Sequence, residues 1–168
     1  MVGERETFVW ALTTSRTLMF RAPIGREELN RAVAGLRHAL DPSQLDIATA
    51  FDIPPFDVNA AWRLYQAIFA PAEAVLDGAH MVFIVPDAGL QSLPFGVLVT
   101  AKPPPIREFA DYRSVNWLAR RYATTVLPSV SSLGVLRTFT SSSPGTRPFL
   151  GIGDPTLGGC LLYTSRCV

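Results

Sequence analysis

The stretch Met81-Val-Phe-Ile-Val85, followed by Pro86 and Asp87, decides the fold class of this 168-residue chain. It is an unbroken run of β-branched and other large apolar side chains, which is typical of a strand buried on both faces in a parallel sheet. Pro86-Asp87 is a turn signal that ends the strand. A second strand is predicted from Ala123 to Leu127. We therefore expect an α/β protein built on a sheet of the parallel type.

Two helices are predicted before the first of these strands. The first opens at Gly25 with acidic residues in its first turn and ends at Asp41-Pro42. Asp57 is expected to cap the second helix, which Pro71 ends or kinks. The predicted buried stripes are Leu29, Ala32, Val33, Leu36, Ala39 and Leu40 in the first helix, and Ala61, Leu64, Tyr65, Ile68 and Phe69 in the second.

Shorter elements complete the predicted sheet and its flanking helices. Residues 115–122 are expected to form a short helix, and Ser129 is expected to cap another that carries Val130, Leu133 and Leu136. Leu93-Pro94-Phe95 is expected to pack as a loop or a short helix.

The two ends of the chain have patterns of their own. Before the first helix, Thr7–Leu12 and Thr17–Ala22 predict a β-hairpin with a polar turn. Residues 138–147 predict a flexible linker, and residues 149–153 a further strand. No helix follows that strand to cover it, so we expect a fold that is incomplete at its C-terminus.

Composition excludes several classes of function. The net charge is +1, with 48% hydrophobic and 17% charged residues, and this balance gives no electrostatic footprint for nucleic acid or for an anionic membrane. No apolar run is long enough to span a membrane, and no secretory signal is recognisable. Cys160 and Cys167 form neither a disulfide framework nor a paired-cysteine metal site. We expect a cytoplasmic protein without a cofactor.

The last nine residues, 160–168, do not resemble the sequence that precedes them. The codons TGT-CTC-TTA-TAC-ACA-TCT would encode Cys160 to Ser165, and they match a transposon end used to prepare sequencing libraries. We therefore expect a tail of non-native sequence, and an ordinary C-terminal tail is the alternative.

Candidate catalytic residues are few. His38 and His80 are expected to be surface or boundary residues, since neither has a nucleophile at a recognisable spacing. The sequence around Ser129 lacks the leading glycine of a nucleophile elbow, so a helix cap is the favoured role. The segment 151–155, Gly-Ile-Gly-Asp-Pro, is a weak phosphate-loop pattern, because Thr156 stands where the third glycine of a dinucleotide fingerprint would fall. A nucleotide-binding domain remains the weakest alternative.

Two aspartates follow predicted strands directly. Binding sites of open α/β sheets gather beyond the carboxyl ends of the strands, where Asp87 and Asp154 are expected to lie. Turn formation explains both residues as well, because each adjoins a proline. We keep Asp154 as the candidate substrate-binding residue and give Asp87 less weight.

Several stretches taken together resemble CHAT domains, which are caspase-like domains of bacteria often found beside tetratricopeptide repeats. The segment from Met81 to Phe95 resembles the family signature of a hydrophobic strand followed by Pro-Asp-x-x-Leu-x-x-Leu-Pro-Phe. The other matching segments are Leu64–Glu73, Trp117–Tyr122, Val126–Leu133 and Phe149–Pro155. The resemblance covers residues 7–159, which it identifies as the N-terminal portion of such a domain.

The resemblance implies a caspase-like fold, a protein or peptide substrate, and tetratricopeptide repeats in the same polypeptide. The family's catalytic histidine stands in a His-Gly motif and its cysteine in a Ser-Ala-Cys-like motif, both downstream of the strand that matches residues 149–153. This sequence has no His-Gly pair, and Cys160 and Cys167 lie too close to that strand. No catalytic residue is therefore assigned, and we expect a fragment of a cysteine peptidase that is inactive alone. Asp154 would lie near the mouth of the cleft.

The alternative is a non-catalytic interaction or regulatory module that works together with tetratricopeptide repeats. Recognition of the family does not by itself establish peptidase activity, since members can lose the two catalytic residues.

Overall fold

The computed structural model describes residues 1–41 and 55–139. Residues up to Leu133 form one compact unit, and the chain from Gly134 onward forms a second. The predicted strand at 149–153, the candidate Asp154 and the tail at 160–168 lie outside the described residues.

The predicted N-terminal hairpin is confirmed. Strands β1 (Thr7–Leu12) and β2 (Thr17–Ala22) pair in antiparallel fashion, with Thr7 opposite Ala22. The hydroxyl of Thr13 accepts a hydrogen bond from the backbone N–H of Arg16 at 2.9 Å, and this contact holds the turn closed. A threonine side chain thus supplies the local hydrogen bond that favours the turn.

Helix α1 (Arg26–His38) buries one stripe of its predicted apolar face. The most deeply buried side chains recur at helical spacing and are Leu29, Val33 and Leu36. The prediction that Leu40 continues this stripe is wrong, because the helix ends at His38 and Leu40 remains 43% exposed.

Helix α2 (Val58–Ile68) forms as the sequence predicts. The side chain of Asp57 accepts a hydrogen bond from the N–H of Ala60 at 2.8 Å, which confirms the predicted cap. All five residues of the predicted stripe are buried. Pro71 stands in a 3₁₀ turn, Ala70–Ala72, directly after the helix, where its missing N–H costs no helical hydrogen bond.

Strands β3 (Met81–Ile84) and β4 (Ala123–Val126) form the predicted parallel pair. The expectation that β3 is buried on both faces is wrong for the described part of the chain. Met81 is 54% exposed and Phe83 is 43% exposed, whereas the alternate residues Val82 and Ile84 pack against the core. Within residues 1–41 and 55–139 the sheet has two strands, and the core covers only one of its faces.

Short helical turns connect β3 to β4. The 3₁₀ segments Ala88–Ser92 and Phe95–Val97 confirm the expected loop or short helix around Pro94. The predicted helix at 115–122 is shorter, because Val115 and Trp117 are extended and only Leu118–Arg121 (α3) is helical.

One of these connecting turns was not predicted from the sequence. It is a 3₁₀ segment over Phe109–Ser114. The carboxylate of Asp111 accepts hydrogen bonds from the N–H groups of Arg107, at 2.7 Å, and Glu108, at 3.1 Å. An aspartate bonded to the backbone just before it stabilises such a turn.

Helix α4 (Val130–Phe139) follows β4 and crosses the boundary between the two compact units. Ser129 caps it, as predicted, by accepting a hydrogen bond from the N–H of Ser132 at 3.3 Å. Val130 is 75% exposed and does not join an apolar face. The predicted linker at 138–147 begins too early, since Thr138 and Phe139 belong to α4. The rest of that linker lies outside the described residues.

The core of the first unit joins both long helices to the segment between β3 and β4. Its largest fully buried apolar side chains are Leu29, Leu36, Tyr65, Leu98, Val99, Val115 and Leu118. The backbone carbonyl of Leu98 accepts a hydrogen bond from the N–H of Leu118, the first residue of α3, at 2.7 Å. The polar and charged groups described next are arranged around this core.

Candidate functional site

The carboxyl ends of β3 and β4 meet at one edge of the parallel sheet, where binding sites of α/β proteins gather. Asp87 follows β3 after Pro86, and Ser129 follows β4 after Pro128. These two residues are the polar candidates that the sequence places at this edge.

Asp87 is held by backbone donors on both of its carboxylate oxygens. Oδ1 accepts from the N–H of Ala88, and Oδ2 accepts from the N–H of Val2, each at 2.8 Å. The hydrogen bond from Val2 is the main reason that the pKa of Asp87 is lowered, with a smaller contribution from Ala88. The carboxylate therefore caps a turn and anchors the N-terminal segment, which favours the turn-forming role over a catalytic one.

The turn after Asp87 is unusual in its backbone. Ala88 has a positive φ of 50°, a conformation that is strained for a residue with a side chain. Gly89 comes next and lies against Asn30 of α1, so closely that a Cβ at this position would collide with the amide oxygen of Asn30. Glycine at position 89 lets this turn approach α1.

Among the residues that the structure describes, Ser129 makes hydrogen bonds only to its own neighbourhood. Its hydroxyl lies 2.8 Å from the hydroxyl of Ser131 and 2.9 Å from that of Ser132. In the described part of the chain no histidine or carboxylate contacts Ser129 through a hydrogen bond. A general base is needed to activate a serine nucleophile, so the geometry supports the capping role.

The two histidines lie away from this edge. His38 is the last residue of α1, and His80 comes just before β3, at the amino end of the sheet. Both are exposed, as predicted. The carbonyl of His80 accepts a hydrogen bond from the N–H of Ala123 at 2.9 Å, which starts the pairing of β3 with β4. His80 is therefore tied into the edge of the sheet opposite to the candidate site.

A polar cluster that the sequence did not reveal lies near the amino end of β4. The hydroxyl of Tyr65 donates to Oε1 of Glu73 at 2.5 Å, and Arg121 pairs with Oε2 of the same carboxylate at 3.1 Å. Tyr65 was predicted only as part of an apolar stripe, and no spacing pattern pointed to Glu73 or Arg121. The cluster ties α2 and the turn after it to the end of α3.

Electrostatics supports a structural role for this cluster. Burial and the bond to Glu73 raise the pKa of Tyr65 well above its usual range. Partial burial alone would raise the pKa of Glu73, but hydrogen bonds from Tyr65 and Arg121 outweigh burial and lower it. Glu73 is therefore ionised at neutral pH and Tyr65 keeps its proton.

Tyr122, next to Arg121, is 3% exposed, and its hydroxyl has no hydrogen-bond partner among the described residues. Burial is the main cause of its raised pKa. Its ring lies 5.2 Å from the guanidinium carbon of Arg121.

The described residues contain no group of three or more histidine, cysteine, aspartate or glutamate side chains that could hold a metal ion. No helix within residues 1–41 and 55–139 has the length and apolar character needed to cross a membrane. The candidate substrate-binding residue Asp154 lies outside these ranges, so its role stays a prediction.

Comparison with known proteins gives one match. The CHAT domain family matches residues 58–161, which is more than half of the chain, and the match includes α2, the strand β3 and the Pro86-Asp87 turn. The predicted boundaries of 7–159 stay a prediction. No curated protein and no solved structure matches the chain. Because this match covers more than half of the chain, the chain belongs to the CHAT domain family, which is caspase-like and related to peptidases.

Proposed function

We propose that this chain supplies the scaffold of a bacterial CHAT-domain protein of the caspase and separase type and does not cleave peptides by itself. The family supports a caspase-like, peptidase-related role. The inference that the chain does not cleave peptides by itself rests on the positions of its two histidines. His80 precedes β3 and His38 ends α1, so neither follows the carboxyl end of a parallel strand.

Cysteine catalysis needs a thiolate, a histidine that exchanges its proton, and donors for the oxyanion. The described part of the chain contains no cysteine and no histidine with a carboxylate partner. Cys160 and Cys167 are the only thiols of the sequence, and neither is preceded by Ser-Ala, since Cys160 follows Gly158-Gly159 and Cys167 follows Ser165-Arg166. The substrate of the activity to which the scaffold contributes would be a protein or peptide, with Asp154 as the candidate residue for binding it.

The direct experiment measures hydrolysis of fluorescently quenched casein by the 168-residue chain. We expect the same signal from the chain, from the Cys160→Ala/Cys167→Ala double variant and from buffer. Hydrolysis by the chain that the double variant loses would show an active thiol and overturn the proposal. Hydrolysis that survives both cysteine substitutions and follows the chain through purification would overturn it as well.

A second candidate function is a non-catalytic interaction module that works in the cytoplasm beside tetratricopeptide repeats of the same polypeptide. The exposed side chains of Met81, Phe83 and Val85 favour it, since apolar patches on a folded protein are often sites of association. Hydrogen exchange of a version that carries its repeats would test it. Protection of the β3 amides that disappears when the repeats are removed supports the module, and unchanged protection contradicts it.

A further inference from the structure

An apolar groove lies between the end of α1 and the segment that leads to β4, within the first compact unit. Its volume is about 620 Å³, and neither Asp87 nor Ser129 lines it. We call it the aromatic groove. The side chains that determine its chemistry are Leu40, Phe56, Phe109, Tyr112, Trp117 and Arg120.

The aromatic groove leaves a large apolar surface open. Tyr112 stacks on Trp117 with ring centres 6.3 Å apart, and the ring of Phe56 lies 5.7 Å from that of Trp117. At the rim, Phe109 is 65% exposed and Leu40 is 43% exposed. Contiguous apolar surface of this kind marks a place where another segment or molecule packs.

The polar atoms of the groove's rings already have partners. The indole N–H of Trp117 donates to the carbonyl of Tyr112 at 3.1 Å, and the hydroxyl of Tyr112 donates to the carbonyl of Phe56 at 3.2 Å. Apolar side chains can therefore fill the space between the rings without leaving a donor unpaired.

The chain itself reaches the groove at two points of its sequence. Leu40 and Phe56 both line it, and the 13 residues 42–54 lie between them in the sequence. A stretch of that length can span about 45 Å when extended, so it is long enough to lie along the groove between its two ends. Because this segment is tethered at both ends, it meets the groove at a high effective concentration, whereas a separate molecule would first lose its translational and rotational freedom.

The composition of residues 42–54 matches the groove. The segment carries four large apolar side chains, which are Leu45, Ile47, Phe51 and Ile53. Its two charged residues, Asp46 and Asp52, are both acidic. Arg120 is the one charged side chain among the described residues that line the groove, so the charges are complementary as well.

We propose that the aromatic groove is the docking surface of the chain's own residues 42–54, whose apolar side chains pack against Phe109, Tyr112 and Trp117. A separate protein could use the groove only by displacing this segment. The proposal does not depend on whether the protein is a peptidase, because the groove uses no residue of the candidate site.

Photocrosslinking from the rim of the groove tests the proposal in the full 168-residue chain. The variant Phe109→Cys/Cys160→Ala/Cys167→Ala carries a single thiol, which is labelled with benzophenone maleimide. After irradiation, mass spectrometry identifies the residues joined to position 109. We expect crosslinks to residues 42–54 within one chain, with a yield that does not change when the protein is diluted.

A matched control places the same label elsewhere. Leu12→Cys in the same cysteine-free background puts it on the N-terminal hairpin, where Leu12 is 66% exposed and does not line the groove. This position should give no crosslinks to residues 42–54. Far-UV circular dichroism verifies that both labelled chains are folded, which we expect because both substituted side chains are exposed.

A second pair of variants tests which side chains hold the segment. Phe51→Ser/Ile53→Ser should lower the crosslink yield from position 109, because loss of each buried apolar side chain reduces the docking equilibrium constant by about tenfold or more. Ser43→Ala/Gln44→Ala changes two polar residues of the same segment and should leave the yield unchanged.

Three results would overturn the proposal. The first is that position 109 gives no crosslink to residues 42–54. The second is crosslinking to a second copy of the chain only, with a yield that falls on dilution, because this would assign the groove to an interface between copies. The third is a yield that Phe51→Ser/Ile53→Ser leaves unchanged.

Discussion

Replacing Glu73 with alanine tests the polar cluster that joins α2 to the end of α3. The substitution removes the acceptor of the Tyr65 hydroxyl and the ion-pair partner of Arg121. Because Tyr65 is fully buried as a residue, its hydroxyl loses a partner that water replaces only in part. We expect the free energy of unfolding to fall.

The magnitude follows from the two contacts. Leaving a buried hydroxyl unpaired costs about 1–3 kcal/mol. The ion pair contributes less, because the side chains of Arg121 and Glu73 are 41% and 34% exposed and solvent screens their charges. Its loss should lower the free energy of unfolding by about 0.5 kcal/mol. We therefore expect Glu73→Ala to destabilise the chain by about 2 kcal/mol.

Urea unfolding followed by tryptophan fluorescence measures this loss. Glu27→Ala is the matched control, because Glu27 pairs with Arg31 while both side chains are largely exposed, and it should cost about 0.5 kcal/mol or less. The single variants Tyr65→Phe and Glu73→Ala and the double variant complete a double-mutant cycle. The double variant should lose about 1 kcal/mol less unfolding free energy than the sum of the two single losses, because both single variants break the same hydrogen bond. If Glu73→Ala costs no more than Glu27→Ala, or if the two losses simply add, the cluster does not stabilise the fold.

Other substitutions probe separate parts of the structure. The pKa of Glu73 is lowered in the folded chain, so its stabilisation is complete above its unfolded pKa of about 4.3 and is lost as the pH falls from there through the folded pKa. The difference in unfolding free energy between wild type and Glu73→Ala should therefore stay constant from about pH 7 to about pH 5 and shrink as the pH is lowered below about 4. A difference that stays constant below that pH would contradict this. Tyr122→Phe removes an unpartnered buried hydroxyl and should leave the urea midpoint unchanged or raise it, whereas a lower midpoint would reveal a partner. Gly89→Ala should destabilise the chain through its collision with Asn30, and adding Asn30→Ala should recover much of the loss in the melting temperature; no recovery would place the strain elsewhere.

The sequence predicted regular elements well where local signals were strong. The Asp57 cap and the apolar stripe at Ala61, Leu64, Tyr65, Ile68 and Phe69 determined α2, because capping and helical periodicity act within a few residues. The hairpin and the parallel pairing of β3 with β4 were predicted from runs of β-forming residues.

Burial was harder to predict, because it depends on what packs against an element. The apolar run at Met81–Ile84 looks like a strand covered on both sides, yet Met81 and Phe83 are exposed within the described residues. The exposure of Leu40 was mispredicted for a similar reason, because its burial depends on where α1 ends.

The long-range polar contacts depend on tertiary structure alone. Asp87 binds the N–H of Val2, 85 residues away in the sequence. Glu73 meets Arg121 only because the turn after α2 lies against the end of α3. No local pattern encodes such pairs, and the sequence could therefore place Asp87 at the end of a strand without showing that its carboxylate is used to anchor another segment.

The reactivity of the two thiols tests most directly whether this scaffold lacks a catalytic centre of its own. The measurement is the rate of iodoacetamide alkylation at Cys160 and Cys167 as a function of pH, read by mass spectrometry. We predict that both thiols react as ordinary cysteines with a pKa of about 8.5 and that His38→Ala and His80→Ala change neither rate. A thiol pKa below about 7 that returns to normal when one histidine is removed would reveal an activated cysteine and contradict the account.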